Sequence, residues 1–125
     1  MREIEFRGQN INGHWAHGNL AIIKEKLDRA EIGTYISNSA GAPFAYQVRP
    51  ETIGQYTGLK DKNGKKIFEG DICWEEYGEC YGVVKFEEGK FLYAWENIAE
   101  DLWEVADSIE IYGNIHENPE LLEAK

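Results

Sequence analysis

Short apolar and aromatic runs, alternating with charged residues at the start of the chain and continuous further on, follow one another along this sequence, and after Asp71 glycine-bearing turns separate them at roughly ten-residue intervals. Ile4-Glu5-Phe6-Arg7 has the pattern of a half-buried strand. Asn12-Gly13 is a hairpin signal. The run from His14 to Lys24 contains Trp15, Leu20, Ile22 and Ile23 and reads as a strand interrupted by Gly18. Residues 21–31 are open to two readings, because Ile23, Leu27 and Ala30 also lie at helical spacing among good helix formers. Thr34-Tyr35-Ile36 reads as a short strand, and 38–43 has the composition of a loop. Phe44 to Val48 reads as a strand stopped by Arg49-Pro50, since proline pushes the preceding residue away from helical geometry.

Ile53 to Thr57 leads into the segment Gln55–Asp71. Here Asn63-Gly64, expected at positive φ, marks a hairpin turn between two apolar flanks, and Glu69-Gly70-Asp71 marks a second turn. From Asp71 onward the pattern is regular. Ile72-Cys73-Trp74, Tyr81 to Phe86 and Phe91 to Trp95 read as strands, separated by turns at Tyr77-Gly78-Glu79 and Glu88-Gly89-Lys90. Ile98 to Ala106 reads as a looser link, and Ser108 to Ile115 as a final strand. Asn118-Pro119-Glu120 carries the cap, first-position proline and early acid of a short helix. The expectation is a mainly β chain. It has a twisted antiparallel N-terminal sheet over residues 1–58, an SH3-like barrel-type sheet over 67–116 and a short C-terminal helix.

Composition agrees with a folded β protein. The chain has 125 residues, enough for one ordinary domain without metals or disulfides. It is 42% apolar and 13% aromatic with only three prolines, which suits pleated, half-buried surfaces. Met1-Arg2-Glu3-Ile4-Glu5 lacks the apolar run of a signal peptide, and no stretch is long enough to cross a membrane. A cytoplasmic protein with no membrane association is expected. The net charge of −10 is unevenly placed. Residues 1–58 hold six basic and six acidic side chains, whereas 69–125 hold three lysines against sixteen acids. Between them lie Lys60, Lys62, Lys65 and Lys66, the one basic spot at which a phosphate would be attracted. The acidic excess serves solubility, and it also favours a basic partner over nucleic acid.

Candidate chemistry is sparse. His14-x-x-His17 supplies two donors where zinc needs three or four, and Cys73 and Cys80 do not have a zinc-knuckle spacing. On one continuous strand those cysteines would point to opposite faces, unless the turn at Tyr77-Gly78 reverses the parity. Asp61-Lys62-Asn63-Gly64 resembles part of a calcium loop, but alignment on Gly64 places Leu59 and Gly70 where the end ligands belong. Cys73 sits beside Ile72, Trp74 and acids, surroundings that disfavour a thiolate. The carboxylates cluster in turns rather than as a buried pair. No catalytic, metal or cofactor residue is assigned, and an enzyme is not expected. The tryptophans suit either a stacking platform or a core, and the strand positions of Trp74 and Trp95 favour the core.

Three stretches together resemble the YopX family of phage and prophage proteins. One is the opening Arg2-Glu3-Ile4-Glu5-Phe6-Arg7-Gly8 with Trp15-x-x-Gly18-x-Leu20. The second is Pro50 through Lys65 followed by Ile67-Phe68-Glu69-Gly70-Asp71-Ile72, and the third is Tyr112 to Leu122. The likeness covers nearly the whole chain and departs from the family mainly in 21–47 and at Cys73 and Cys80. It implies a single YopX-like domain over 1–125, β-rich with an SH3-like C-terminal half, and no established activity. Asn63, Gly64, Gly70 and Asp71 are expected to be turn formers. The functional expectation is a non-enzymatic binding or adaptor module with a protein partner, which includes self-association. The alternative is nucleic-acid association through the barrel and the Lys60–Lys66 turn.

Overall fold

The computed structural model describes residues 4–25, 31–37 and 46–123. The chain forms two compact units, residues 1–55 and 56–125, and the division falls within one strand, β5 (Gly54–Lys60). It is mainly β, as the short apolar runs and their turn signals predict.

In the first unit, β1 (Phe6–Gln9), β2 (Trp15–Ile23), β3 (Gly33–Ser37) and β4 (Tyr46–Val48) pair antiparallel in the order β4-β3-β2-β1. The start of β5 lies on the other side of β1 through Phe6↔Gln55 and Arg7↔Gly54. Strand β2 is not interrupted at Gly18, which pairs with Phe6 inside the ladder. Ala21–Ile23 belong to β2, which settles that part of the ambiguous run, whereas 26–30 lie outside the described residues. So do Phe44 and Ala45 of the strand expected to end at Val48. Tyr35, Ile36 and Val48 are buried. A 3-10 turn, Pro50–Thr52, is fastened to β1: the Gln9 N–H donates to Thr52 Oγ1 at 2.8 Å and the Arg49 N–H to Gln9 O at 2.8 Å.

The second unit contains the end of β5, β6 (Lys66–Phe68) and a five-stranded antiparallel sheet. The sheet is built from β7 (Asp71–Glu75), β8 (Cys80–Glu87), β9 (Lys90–Trp95), β10 (Ile98–Asp101) and β11 (Ile109–Asn114), in the order β10-β9-β8-β7-β11. Its two outermost strands do not pair with each other, so the barrel-type sheet stays open. Cys73, Val84, Tyr93, Ile109 and Ile67 form the core with Leu102 and Ala106. The link expected over 98–106 is more ordered than its pattern suggests. It is β10 followed by one helical turn, α1 (Leu102–Val105), and a 3-10 turn, Ala106–Ser108. A single turn hides one residue and exposes the next, because successive residues differ by about 100° around the axis. Leu102 is accordingly fully buried and Trp103 is 69% exposed. The C-terminal helix is one 3-10 turn, Pro119–Leu122. Asn118 occupies its cap position but makes no side-chain cap bond. Its Oδ1 instead accepts the Asn114 N–H at 3.3 Å.

Tyr93 organises the core of this unit. Its ring lies over Gly82, where a Cβ would fall 2.5 Å from Tyr93 Cζ, and its hydroxyl donates to Cys73 O at 2.9 Å. Gly82→Ala should therefore overpack the core and lower stability by about 1–3 kcal/mol in urea denaturation. Burial, with the Cys73 and Cys80 thiols adding to it, holds the Tyr93 phenol well above the ordinary tyrosine range. The folded state thus binds this proton more tightly than the unfolded state does. The associated stability is intact below the unfolded tyrosine pKa of about 10 and is lost as pH rises above it. Tyr93→Phe should cost about 1 kcal/mol at neutral pH from the lost hydrogen bond. It should also flatten the alkaline fall of the denaturation midpoint relative to the parent chain.

Candidate functional site

The basic turn is a hairpin loop built around one carboxylate. The Asp61 N–H donates to Lys65 O at 2.8 Å and the Gly64 N–H to Asp61 O at 3.0 Å, leaving Lys62-Asn63-Gly64 as a three-residue loop. Gly64 alone takes positive φ, at 84°. Asn63 does not, contrary to expectation, because the loop is one residue longer than a two-residue hairpin and needs its left-handed residue only at the end. Asp61 is 5% exposed. Its Oδ1 accepts the N–H groups of Asn63 and Lys65, each at 2.9 Å. Its Oδ2 accepts the Ile111 N–H from β11 at 3.0 Å. The calcium-loop likeness ends there, since both carboxylate oxygens are engaged by backbone donors.

The first unit contains the same device. Asn10 Oδ1 accepts the N–H groups of Asn12 and His14, each at 2.9 Å, and Gly13 takes φ 85°. The shared pattern is an Asp or Asn two residues before Asn-Gly.

The four lysines differ in their surroundings. Lys62 Nζ lies 3.6 Å from Glu76 and 3.9 Å from Glu110. Lys66 Nζ sits 5.1 Å above the Tyr56 ring. Lys60 and Lys65 are exposed, with Lys60 and Lys66 paired across the hairpin.

The second turn is fastened in the same manner. Asp71, 2% exposed, accepts the Phe68 N–H at 2.7 Å. Gly70 donates to Val84 O at 2.8 Å and accepts from the Ile115 N–H at 2.9 Å. Asn114, paired with Asp71, accepts the N–H groups of His116 and Glu117, each at 2.9 Å. Asn63 and Gly64 lie in the first turn and Gly70 in the second, whereas Asp71, expected in the turn, is the first residue of β7, from which its carboxylate reaches back to the Phe68 N–H.

A different surface has the shape of a site. The registers Trp74↔Tyr81 and Val83↔Ala94 put these four residues on the sheet face opposite Cys73, Val84 and Tyr93. Trp95 packs against the core as expected, but Trp74 does not. Ile72 and Cys73 are both fully buried, so apolar residues occupy both faces there and alternation alone does not assign Trp74. Its ring meets Tyr81 edge-on at 4.9 Å, and Tyr81 meets Tyr112 at 5.8 Å. The 3-10 turn Pro119–Leu122 lies against β8 and supplies Leu121 and Leu122 as a wall. Together they enclose a groove of about 680 Å³ that runs along β8. Glu79 and Glu96 stand at one end and Lys85 at the other. Both acids sit in hairpin turns at left-handed φ, 51° and 50°, a geometry more costly for glutamate than for glycine.

Cys80 lines the acidic end. Burial first, then the charges of Glu75 and Glu96, raise its thiol above the ordinary cysteine value and disfavour the nucleophilic thiolate. The turn at Tyr77-Gly78 reverses parity, so Cys73 and Cys80 share a face, and neither is part of a disulfide. Among the described residues no three of His, Cys, Asp and Glu gather as metal ligands. No helix of the described residues is long and apolar enough to cross a membrane.

The model of the YopX family, described as YopX protein, matches residues 5–123. The chain is also similar to the crystal structure of protein EF1440 from Enterococcus faecalis. The two are 26% identical with a TM-score of 0.65, over 98% of this chain and 99% of that one. No curated protein matches.

Asp61→Ala should lower stability by about 2–4 kcal/mol, because three N–H groups lose a charged acceptor. Asp61→Asn should cost less, about 1–2 kcal/mol, since its oxygen still serves the loop while its amide opposes the Ile111 N–H. Lys60→Ala and Lys65→Ala should stay within about 0.5 kcal/mol of the parent chain in the same urea titrations.

Proposed function

We propose that this chain, which belongs to the YopX family, is a non-enzymatic phage- or prophage-type binding module of the bacterial cytoplasm. In this reading a positively charged protein partner is held on the outer face of the five-stranded sheet. The observation that carries the reading is the Trp74–Tyr81 floor with Glu79 and Glu96 at its rim. Aromatic rings supply apolar contact area at low conformational cost, and interfaces are enriched in them. The sixteen acids against three lysines in 69–125 would draw a basic partner toward this unit.

The non-enzymatic reading is supported by how the reactive groups are used. Asp61 and Asp71 accept turn N–H groups, and the Cys80 thiol is held toward its neutral form. Nucleic-acid association through Lys60, Lys62, Lys65 and Lys66 has weaker support, because Lys62 lies against Glu76 and Glu110, and Lys66 over Tyr56.

The test is capture of a partner from phage-infected cells, followed by direct binding of that partner in purified form. A partner that binds the parent chain and loses at least tenfold in affinity on Trp74→Ala, while the Lys60/Lys65 double alanine variant binds normally, supports the reading. Salt-sensitive retention of DNA or RNA that depends on the lysines and not on Trp74 overturns it.

A further inference from the structure

The groove along β8 differs in shape from the flat face that two folded surfaces usually share. It is concave, with Trp74 and Tyr81 as floor and Leu121 and Leu122 as one wall. From Cys80 to Lys85 it follows one extended strand, a length of about 17 Å, or roughly five residues of extended chain. Its charge is polarised along that length. Glu79 and Glu96 come from the β7–β8 and β9–β10 turns, which lie at the same end of the sheet, and Lys85 stands toward the other.

Resting on the reading above, we propose that the occupant is a short linear peptide segment of the partner. It is extended and carries a lysine or arginine at the Glu79–Glu96 end, with an aliphatic or prolyl residue seated between Trp74 and Leu121. An extended chain presents alternate side chains to one surface, so a basic residue and an apolar residue two positions apart engage the rim and the floor together. Guanidinium and ammonium groups gain further from aromatic faces nearby. The charge pattern also selects against a second copy of this chain as occupant. Its own second unit is strongly acidic and would bring like charge to Glu79 and Glu96.

Selection of a displayed library of random short peptides on the full-length chain tests this. Enriched sequences should pair Lys or Arg with Leu, Val, Ile or Pro at short spacing. A synthetic peptide of that consensus should bind about three- to thirtyfold more weakly to the Glu79→Gln/Glu96→Gln double variant at low salt. Both positions are exposed, so that variant keeps the fold and its far-ultraviolet spectrum. Enrichment of acidic or uncharged peptides overturns the inference, as does equal binding to the double variant. Failure to enrich any peptide also overturns it. If a Trp74-dependent folded partner is still captured, the binding-module reading stands and only the linear-peptide inference falls. A Trp74-dependent dimer in sedimentation would place a second copy in the groove and likewise overturn it.

Discussion

The second unit depends on one buried carboxylate. Asp61 closes its own hairpin loop through Asn63 and Lys65 and, with its other oxygen, takes the outward N–H of Ile111. The neighbouring Lys62 N–H donates to Ile109 O at 3.0 Å, so the loop satisfies a donor and an acceptor on the outer edge of β11. An open sheet edge is a template for unwanted pairing unless something covers it. Here the hairpin is the cover, and the Lys62 ammonium beside Glu110 and Glu76 reinforces it. A buried acceptor of three N–H groups is costly to remove, which ties the loop sequence to the sheet it guards.

This accounts for the stretch Gln55–Asp71 in physical terms. Asp61 and Gly64 hold its first turn and Gly70 and Asp71 its second, which Asn114 also fastens. The lysines of the loop stand out as a basic spot when only the chain is read. In the fold, two of them already have acidic or aromatic neighbours. The groove along β8 lies on the face opposite the core and is lined by residues that take no part in these turns.

The strands after Asp71 were legible because each is a short run rich in β-branched and aromatic residues bounded by turn residues. The Asn-Gly hairpin was legible for the same local reason. What escaped was non-local or ambiguous in parity. The bond from Asp61 to Ile111 spans fifty positions, and no local pattern announces it. Trp74 follows two residues buried on opposite faces, so alternation did not place it. The one-turn helix at Leu102–Val105 is too short to show a helical period. The groove needs Leu121 and Leu122 brought against β8 by the chain's final turn, a juxtaposition absent from the linear order. The Asx pattern shared by Asn10 and Asp61 was visible in the sequence, since both precede Asn-Gly by two positions.

Amide hydrogen exchange at Ile111, compared between the parent chain and Asp61→Asn, tests the clasp most directly. In the parent this N–H should be protected to nearly the level of the core amides of β7 and β8. In the variant it should exchange at least tenfold faster, while Cys73 and Val84 keep their protection. Equal protection of Ile111 in both chains would contradict the account, because the edge of β11 would then be held by something other than the Asp61 carboxylate.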